Sequence, residues 1–98
     1  MNSEIDKVTA RQILDQYLAK LQVGRPYTLG VFEGLTREES FGWVFFYNST
    51  RFIETGDLRW ALAGNAPVII DRRGRLHVTG TAYAPEHYIE EFGRKYPG

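Results

Sequence analysis

Residues 41–47 read Phe-Gly-Trp-Val-Phe-Phe-Tyr, and this run decides the fold. Its aromatic and β-branched side chains are typical of a β-strand. Because successive side chains of a strand point to opposite faces, Trp43 begins one apolar face and Val44 begins the other. A strand that is apolar on both faces is normally central and covered twice. We therefore expect this strand in the middle of a sheet.

The stretches around this strand predict short antiparallel neighbours. Residues 27–33 alternate as a strand, and residues 34–40 are expected to form a polar loop. After the central strand, residues 48–50 read Asn-Ser-Thr and supply turn chemistry. Residues 51–54 could therefore pair back as a short hairpin arm.

Segment 55–65 is expected to form a short helical turn beside the sheet. Gly56 breaks the preceding strand, and Asp57 caps the turn. Gly64 is expected to end the turn in the left-handed conformation. Three large apolar residues lie on this segment: Leu58, Trp60 and Leu62.

The second half of the sheet is predicted to be a hairpin. Residues 67–71 and 75–81 are both strand-like, and Pro67 stands first in its strand, where a missing N–H is tolerated. The loop between them, residues 72–74, ends on Gly74, where a positive φ is expected. Tight connections of this kind imply antiparallel pairing, because a parallel neighbour needs a long crossover.

Amphipathic helices are predicted at both ends of the chain. Residues 4–22 carry apolar side chains at three- and four-residue spacing, with Ser3 as the N-cap. Pro85 opens the last helix at a favoured first-turn position. The apolar face of that helix consists of Tyr88, Ile89, Phe92 and Tyr96.

This order of elements predicts an α+β fold. We expect an N-terminal helix, an antiparallel sheet of four to five strands and a C-terminal helix, with a single layer of helix on the sheet. Ninety-eight residues suffice for one core and leave no room for a second, so residues 1–98 are expected to form a single domain.

Composition excludes several functional classes. The chain has no Cys, which excludes disulfides, zinc ribbons and thiol nucleophiles. Twelve basic and twelve acidic residues give a net charge of zero, whereas nucleic-acid binders normally have a basic excess. The basic tip at residues 72–75 could touch RNA, but neutrality favours a solvated hairpin. No apolar run is long enough to span a bilayer, and charges near the N-terminus interrupt any signal peptide. We therefore expect a cytoplasmic protein that binds neither nucleic acid nor membrane.

The polar residues do not form a pattern typical of catalysis. His77 lies in a predicted strand and His87 in the first turn of the last helix, and neither has a second ligand at metal spacing. The adjacent carboxylates at residues 38–39 and 90–91 are expected to be solvated. The sequence therefore predicts no catalytic residues, no metal and no cofactor.

Four segments together resemble a known family. The first two are residues 42–49, which read GWVFFYNS, and residues 51–57, which read RFIETGD. Residues 62–71, LAGNAPVIID, and residues 80–82, GTA, follow. In this order and spacing they resemble the immunity protein 35 family, also called YrhB-like proteins, and the resemblance covers roughly residues 10–92.

The resemblance implies an intracellular bacterial protein with an α+β fold. Many members of this family are encoded beside polymorphic toxins and are thought to bind and neutralise them. Others are small, heat-stable cytosolic proteins with chaperone-like behaviour. The resemblance therefore implies a non-enzymatic immunity protein that binds a protein toxin stoichiometrically. The alternative is a chaperone-like or general protein-binding domain without a cognate toxin.

The positions that carry the resemblance are expected to be structural. Glycines would turn the backbone, Trp43 would fill the core, and Asp57 and Asn65 would satisfy loop amides. Direct toxin contact by these positions is the alternative. The set consists of Gly42, Trp43, Glu54, Gly56, Asp57, Gly64, Asn65, Pro67 and Asp71.

A partner-binding surface is expected around Trp60. Trp and Arg are enriched among binding hot spots, so Trp60 with Arg59 would contact the toxin or a second copy of the chain. Two charged loops of the sheet would supply the polar rim of an interface. Their residues are Arg37, Glu38, Glu39, Arg72 and Arg73. The alternative is that Trp60 simply closes the core.

Overall fold

The computed structural model describes residues 4–96, which form three helices and six strands. In chain order the elements are α1 (Lys7–Leu21), β1 (Leu29–Val31), β2 (Arg37–Glu39), β3 (Gly42–Phe45), β4 (Tyr47–Ser49), α2 (Thr50–Thr55), β5 (Val68–Asp71), β6 (Leu76–Val78) and α3 (Pro85–Lys95). Two single 3-10 turns, Glu33–Leu35 and Leu58–Trp60, interrupt the connections. The predicted α+β class, with a helix at each end and an antiparallel sheet between, is confirmed.

The strands form two antiparallel sheets. The larger has the order β2-β3-β5-β6, and the smaller pairs β1 with β4. As the sequence predicted, β3 is central, with β2 on one side and β5 on the other. All four residues of β3 are buried. The predicted continuous strand 41–47 is wrong in one respect, because it divides at Phe46 and its last part joins the smaller sheet.

The two long helices lie on opposite faces of the larger sheet. Three buried α1 residues, Ala10, Leu14 and Leu18, pack in one cluster with Trp43, Phe45, Val68 and Ile70. Ile89 of α3 packs in a second cluster with Phe41, Val44 and Ile69. The sequence predicted a single helical layer, and the structure differs because a sheet whose central strands are apolar on both faces needs cover on both. Segment 55–65 is therefore not needed as cover for the second face.

Helix boundaries follow the local chemistry of the chain. Asp6 caps α1, since its carboxylate accepts a hydrogen bond from the N–H of Thr9 at 2.9 Å. The predicted N-cap, Ser3, lies outside the described residues. Pro85 opens α3 at the first helical position, as predicted.

Two local predictions are wrong. Residues 34–40 are not simply a loop, because they contain strand β2. Residues 48–54 form no turn and hairpin arm: two of them belong to β4, and the rest begin α2. Ser49 caps α2 by accepting from the N–H of Phe52 at 3.1 Å, and Gly56 ends it in the left-handed conformation at φ 70°. These two caps outweigh the strand propensity of the short segment between them.

Gly42 lies where β3 and β5 approach most closely. Its φ is 149°, and a Cβ at this position would lie 2.1 Å from the carbonyl oxygen of Ile70. Only glycine fits this contact without moving the backbone of one strand. The pairing of the two central strands therefore depends on this residue.

Within residues 4–96, no helix has the length and apolar character needed to cross a membrane.

Candidate functional site

A cleft of about 770 Å³ opens beside the smaller sheet. Its walls come from the segment that precedes β1, from the start of α2 and from the 3-10 turn Leu58–Trp60 with the residues after it. The lining consists of Arg25, Pro26, Tyr27, Thr28, Ser49, Thr50, Arg51, Glu54, Arg59, Trp60, Ala61 and Leu62. We call this site the cleft.

Two buried polar residues of β4 hold the wall that carries Trp60. The Asn48 side-chain oxygen accepts hydrogen bonds from the N–H groups of Ser49 and Leu62, each at 2.8 Å. The hydroxyl of Ser49 donates to the carbonyl of Trp60 at 2.5 Å. Because buried polar groups are costly unless paired, these bonds fix the segment against the sheet. The Trp60 ring is thus presented from a supported backbone.

Trp60 is exposed at the edge of the cleft. Its exposed fraction is 41%, and that of Leu58 in the same turn is 80%. The guanidinium carbon of Arg51 lies 4.3 Å from the centre of the Trp60 ring, within cation–π distance. Within residues 4–96 this stacking is the one interaction of the Arg51 guanidinium, which has no hydrogen bond or carboxylate there. A ring with this exposure does not fit the alternative interpretation, in which Trp60 simply closes the core.

The opposite wall carries a second arginine without a carboxylate. The Nε of Arg25 donates to the carbonyl of Leu21 at 2.7 Å, and one terminal nitrogen donates to the Tyr27 hydroxyl at 3.0 Å. Next to it, the hydroxyls of Thr28 and Thr50 share a hydrogen bond of 2.6 Å, which ties the wall to α2. Arg25 is therefore positioned by neutral partners and keeps its charge uncompensated.

The third arginine of the cleft is neutralised. Arg59 forms a salt bridge of 2.7 Å with Asp57. The Arg59 side chain, and then its backbone N–H, hold the pKa of Asp57 below its ordinary value. The predicted cap is also present, because Asp57 accepts from the N–H of Arg59 at 3.0 Å. With Arg59 neutralised, the lining still holds Arg25 and Arg51 against the single carboxylate of Glu54, so its net charge is positive.

The other predicted partner residues lie outside this cleft. They belong to the hairpin end, which we define as Arg37–Glu39, Gly42–Trp43 and Asp71–Arg75. The register places Glu39 and Asp71 on either side of Gly42. From there, β3 and β4 extend to Ser49 in the cleft over up to roughly 23 Å at the rise of a β-strand. None of the predicted rim residues lines the cleft that contains Trp60.

At the hairpin end the charged side chains neutralise one another. Arg72 donates to the Glu39 carbonyl at 2.6 Å and to the Glu38 carboxylate at 3.2 Å, while its guanidinium stacks 4.4 Å from the Trp43 ring centre. Arg37 forms salt bridges with Glu39 at 2.9 Å and with Glu86 of α3 at 2.6 Å. Arg73 is exposed. Most of these charges are therefore already engaged within the fold.

Asp71 organises the hairpin loop from a fully buried position. One oxygen accepts from the N–H groups of Arg73 and Arg75, and the other from the Arg75 guanidinium and the His77 ring at 2.8 and 2.9 Å. Burial by itself raises the pKa of Asp71, but the hydrogen bonds from His77, Arg75 and Arg73 outweigh it. The pKa of this carboxyl is held below its ordinary value, so it remains ionised.

The remaining positions of the resemblance support backbone in these two regions. Asn65 donates to the Tyr47 carbonyl at 2.6 Å, and Pro67 is buried just before β5. Gly64 has φ 78°, although the turn that it was predicted to end stops earlier, at Ala61. Glu54 differs from the others because it is exposed in the cleft. Their assignment as structural residues stays a prediction.

The described residues offer binding groups more clearly than reactive ones. Among residues 4–96, no group of three or more His, Asp or Glu side chains is arranged to hold a metal ion. His77 is committed to Asp71 and packs edge-on against Phe92 at 4.7 Å. His87 lies 3.6 Å from Glu91 on the same helix. Neither histidine lines the cleft.

Sequence reasoning missed four residues of the cleft lining, Arg25, Tyr27, Ser49 and Arg51, and the buried Asn48 that supports the wall. One signal was available for two of them. Ser49 and Gly56 flank a six-residue segment as an N-cap and a left-handed C-cap would, and this pattern predicts a helix that begins with Thr50 and Arg51. Arg25 contacts the near neighbours Leu21 and Tyr27, but its place in the cleft lining and the bond between Asn48 and Leu62 depend on tertiary structure, and no local pattern indicates them.

The comparisons with known proteins point in one direction. The model of the family described as Immunity protein 35 matches residues 8–91. An uncharacterized protein named YrhB from Escherichia coli strain K12 is 46% identical over 54 residues. That match covers 54% of this chain and 57% of the relative, so the chain matches little more than half of the relative's length. No solved structure matches the chain.

Proposed function

Because the chain belongs to the immunity protein 35 family, we propose that it neutralises a cognate bacterial toxin by binding it stoichiometrically at the cleft. The binding would take place in the cytoplasm and would not involve turnover. Family membership supplies the general role of an immunity protein. The binding mode and the surface are the parts that we propose.

The observation that carries this proposal is the exposed Trp60 on a rigid wall. Most large aromatic residues of such a small domain are needed for its core, and Trp43 is used in this way. Trp60 instead remains 41% exposed, next to Leu58 at 80%, although Asn48 and Ser49 fix its backbone. Preorganised aromatic residues with arginine neighbours are the usual anchors of protein interfaces.

The hairpin end is a weaker candidate for the toxin contact. Its arginines Arg37 and Arg72 already bind carboxylates and carbonyls of the same chain, and a partner would have to compete with those bonds. Breaking them on binding would cost part of the energy gained. Only the exposed Arg73 could engage a partner there without this cost.

Protection from a candidate toxin, taken from a toxin gene found next to the gene of this chain, tests the proposal. Bacteria that express the toxin domain should survive when the wild-type chain is co-expressed, and the purified proteins should form a complex of fixed stoichiometry in light scattering. The Trp60→Ala variant should lose protection. The control variant Tyr83→Ala, which removes an aromatic ring that is 63% exposed outside the cleft, should retain it.

Two results would contradict the proposal. The first is that the bacteria survive although the toxin and this chain form no complex. The second is protection by Trp60→Ala equal to that of the wild type. A homodimer through the same surface would be recognised by self-association of the wild type that Trp60→Ala abolishes. If this chain suppresses the aggregation of unrelated proteins but gives no protection from the toxin, the chaperone-like alternative is favoured.

A further inference from the structure

We propose that the cleft recognises an acidic segment of its protein partner, with carboxylates on Arg25 and Arg51 and an apolar side chain against Trp60 and Leu58. This inference rests on the proposed function and adds the chemistry of the partner. It starts from two observations. Arg25 and Arg51 have no carboxylate partner within residues 4–96, and Trp60 and Leu58 expose apolar surface in the 3-10 turn Leu58–Trp60.

The geometry of Arg51 suits a carboxylate. Its guanidinium carbon lies over the Trp60 ring, 4.3 Å from the ring centre, and none of the guanidinium N–H groups has a hydrogen-bond acceptor within residues 4–96. This contact with the ring uses no hydrogen-bond acceptor, so the N–H donors of the guanidinium remain for a ligand. Paired N–H donors of a guanidinium match the two oxygens of a carboxylate.

Arg25 supplies a second donor with a fixed position. Two of its nitrogens are held by the Leu21 carbonyl and the Tyr27 hydroxyl, which orient the group without neutralising it. Its other terminal nitrogen has no partner in the described part of the chain. Because the side chain is already ordered, a ligand gains this contact at low entropic cost.

The rest of the cleft favours an acidic protein segment over nucleic acid. Leu58 lies just outside the cleft lining, in the same 3-10 turn as Trp60, and its side chain, which is 80% exposed, has no use in contacts with a phosphate backbone. Glu54 in the lining would repel a run of phosphates, whereas a few spaced carboxylates can avoid it. The whole chain also has zero net charge and so provides no long-range attraction for nucleic acid.

The two tryptophans allow a direct test by NMR of their indole N–H groups. The probe is the peptide Glu-Asp-Leu-Phe-Asp-Glu, blocked at both ends, and its control is the peptide Gln-Asn-Leu-Phe-Asn-Gln. The acidic peptide should shift the Trp60 signal saturably and leave the signal of the buried Trp43 in place. The affinity of the neutral peptide should be lower by about fivefold or more. Added salt should weaken the binding of the acidic peptide and leave that of the neutral peptide unchanged.

Matched variants identify the arginines. Arg51→Gln and Arg25→Gln should each weaken the acidic peptide about fivefold, while Arg94→Gln, an exposed arginine on α3 outside the cleft, should leave it unchanged. An unmoved Trp43 signal confirms that each variant is folded. In the full complex, Arg51→Gln should also weaken toxin binding more at low salt than at high salt.

Several results would overturn this inference. They are an unchanged Trp60 signal at millimolar acidic peptide, equal binding of both peptides, or tighter binding of a thymidine decanucleotide than of the acidic peptide. A Trp60 signal that moves with protein concentration alone would assign the cleft to a second copy of the chain and would also overturn it. If toxin protection persists with any of these results, the proposed function stands and only the acidic chemistry fails. If protection itself is absent, the proposed function fails whatever the peptides do.

Discussion

The two tryptophans each carry an arginine on the ring face, but they lie in different environments. Trp43 is 2% exposed, and its partner Arg72 is held 4.4 Å above the ring by hydrogen bonds to the Glu38–Ser40 segment. Trp60 is 41% exposed, and its partner Arg51, at 4.3 Å, has no further interaction within residues 4–96. The same contact is saturated at the hairpin end and open at the cleft.

This difference separates support from recognition. At the hairpin end every charge that touches Trp43 is already bound within the fold, so the arrangement contributes to stability. At the cleft the backbone is equally well supported, but the ring and both cationic groups face solvent. Substitutions at the two sites should therefore change different quantities: unfolding at the first and binding at the second.

The largest effect is expected at Gly42, beside Trp43. Gly42→Ala would place a Cβ 2.1 Å from the Ile70 carbonyl oxygen and should cost about 4 kcal/mol or more of unfolding free energy, or prevent folding. The control is Gly34→Ala, where nothing lies within 4 Å of the new Cβ and the φ is not positive. Urea denaturation measures both. Equal stability of the two variants would show that the strand approach is not required.

The next largest effect compares the tryptophans themselves. Trp43→Ala should lower the unfolding free energy by about 3–5 kcal/mol, because it empties a large site in the core. Trp60→Ala should lower it by less than about 1 kcal/mol, because the ring is partly exposed and its carbonyl bond to Ser49 remains. Thermal unfolding of both variants decides the point. Similar losses would mean that Trp60 belongs to the core as much as Trp43 does.

A smaller effect with a distinct pH dependence is expected at Asp71. The pKa of this buried carboxyl is lowered from 3.8 in the folded state, so its ionised form stabilises the fold above pH 3.8. This contribution is lost as the pH falls through the lower, folded-state pKa. Asp71→Asn should therefore lower the unfolding free energy by about 2 kcal/mol near neutral pH. The difference from wild type should shrink as the pH falls below 3.8 and through the folded-state pKa. If the stability difference between Asp71→Asn and wild type is the same at neutral pH and in acid, the ionised carboxylate of Asp71 does not stabilise the fold.

The smallest effects are expected for the two stacked arginines. Arg72→Met keeps the apolar stem but loses the bonds to Glu38 and Glu39, so we expect a loss of about 1 kcal/mol of stability. Arg51→Met loses no hydrogen bond of the described chain, and its stability should stay within about 0.5 kcal/mol of wild type. Chemical denaturation in parallel measures the pair. A larger loss of stability for Arg51→Met than for Arg72→Met would contradict the distinction between the bonded arginine at Trp43 and the unbonded arginine at Trp60.

The sequence predicts the scaffold well because its signals are local. The apolar run around Trp43 places the central strand, residues 67–81 predict the hairpin, and Pro85 marks the start of the last helix. The layering is harder, since a periodic helix reveals which of its faces is buried but not which face of the sheet it covers. Helix α2 is too short for periodicity and could be found only from its caps, Ser49 and Gly56.

The cleft could be predicted only in part. Trp60 and Arg59 stand out by residue type, and Asp57 as a cap follows from its position before the turn. Arg51 meets Trp60 across nine positions of chain and two different elements, and Arg25 comes from a third segment. Such meetings depend on how Asn48 and Ser49 fold the 3-10 turn back onto β4, which no spacing in the sequence encodes.

The most direct test of the central claim is the dissociation constant of the toxin complex for Trp60→Ala, measured by calorimetry on a variant shown to be folded. A binding hot spot should cost about 2 kcal/mol or more, so the account predicts that the dissociation constant rises about 30-fold or more. A toxin affinity and a self-association that both stay within about twofold of wild type would contradict the assignment of the cleft as the partner-binding surface.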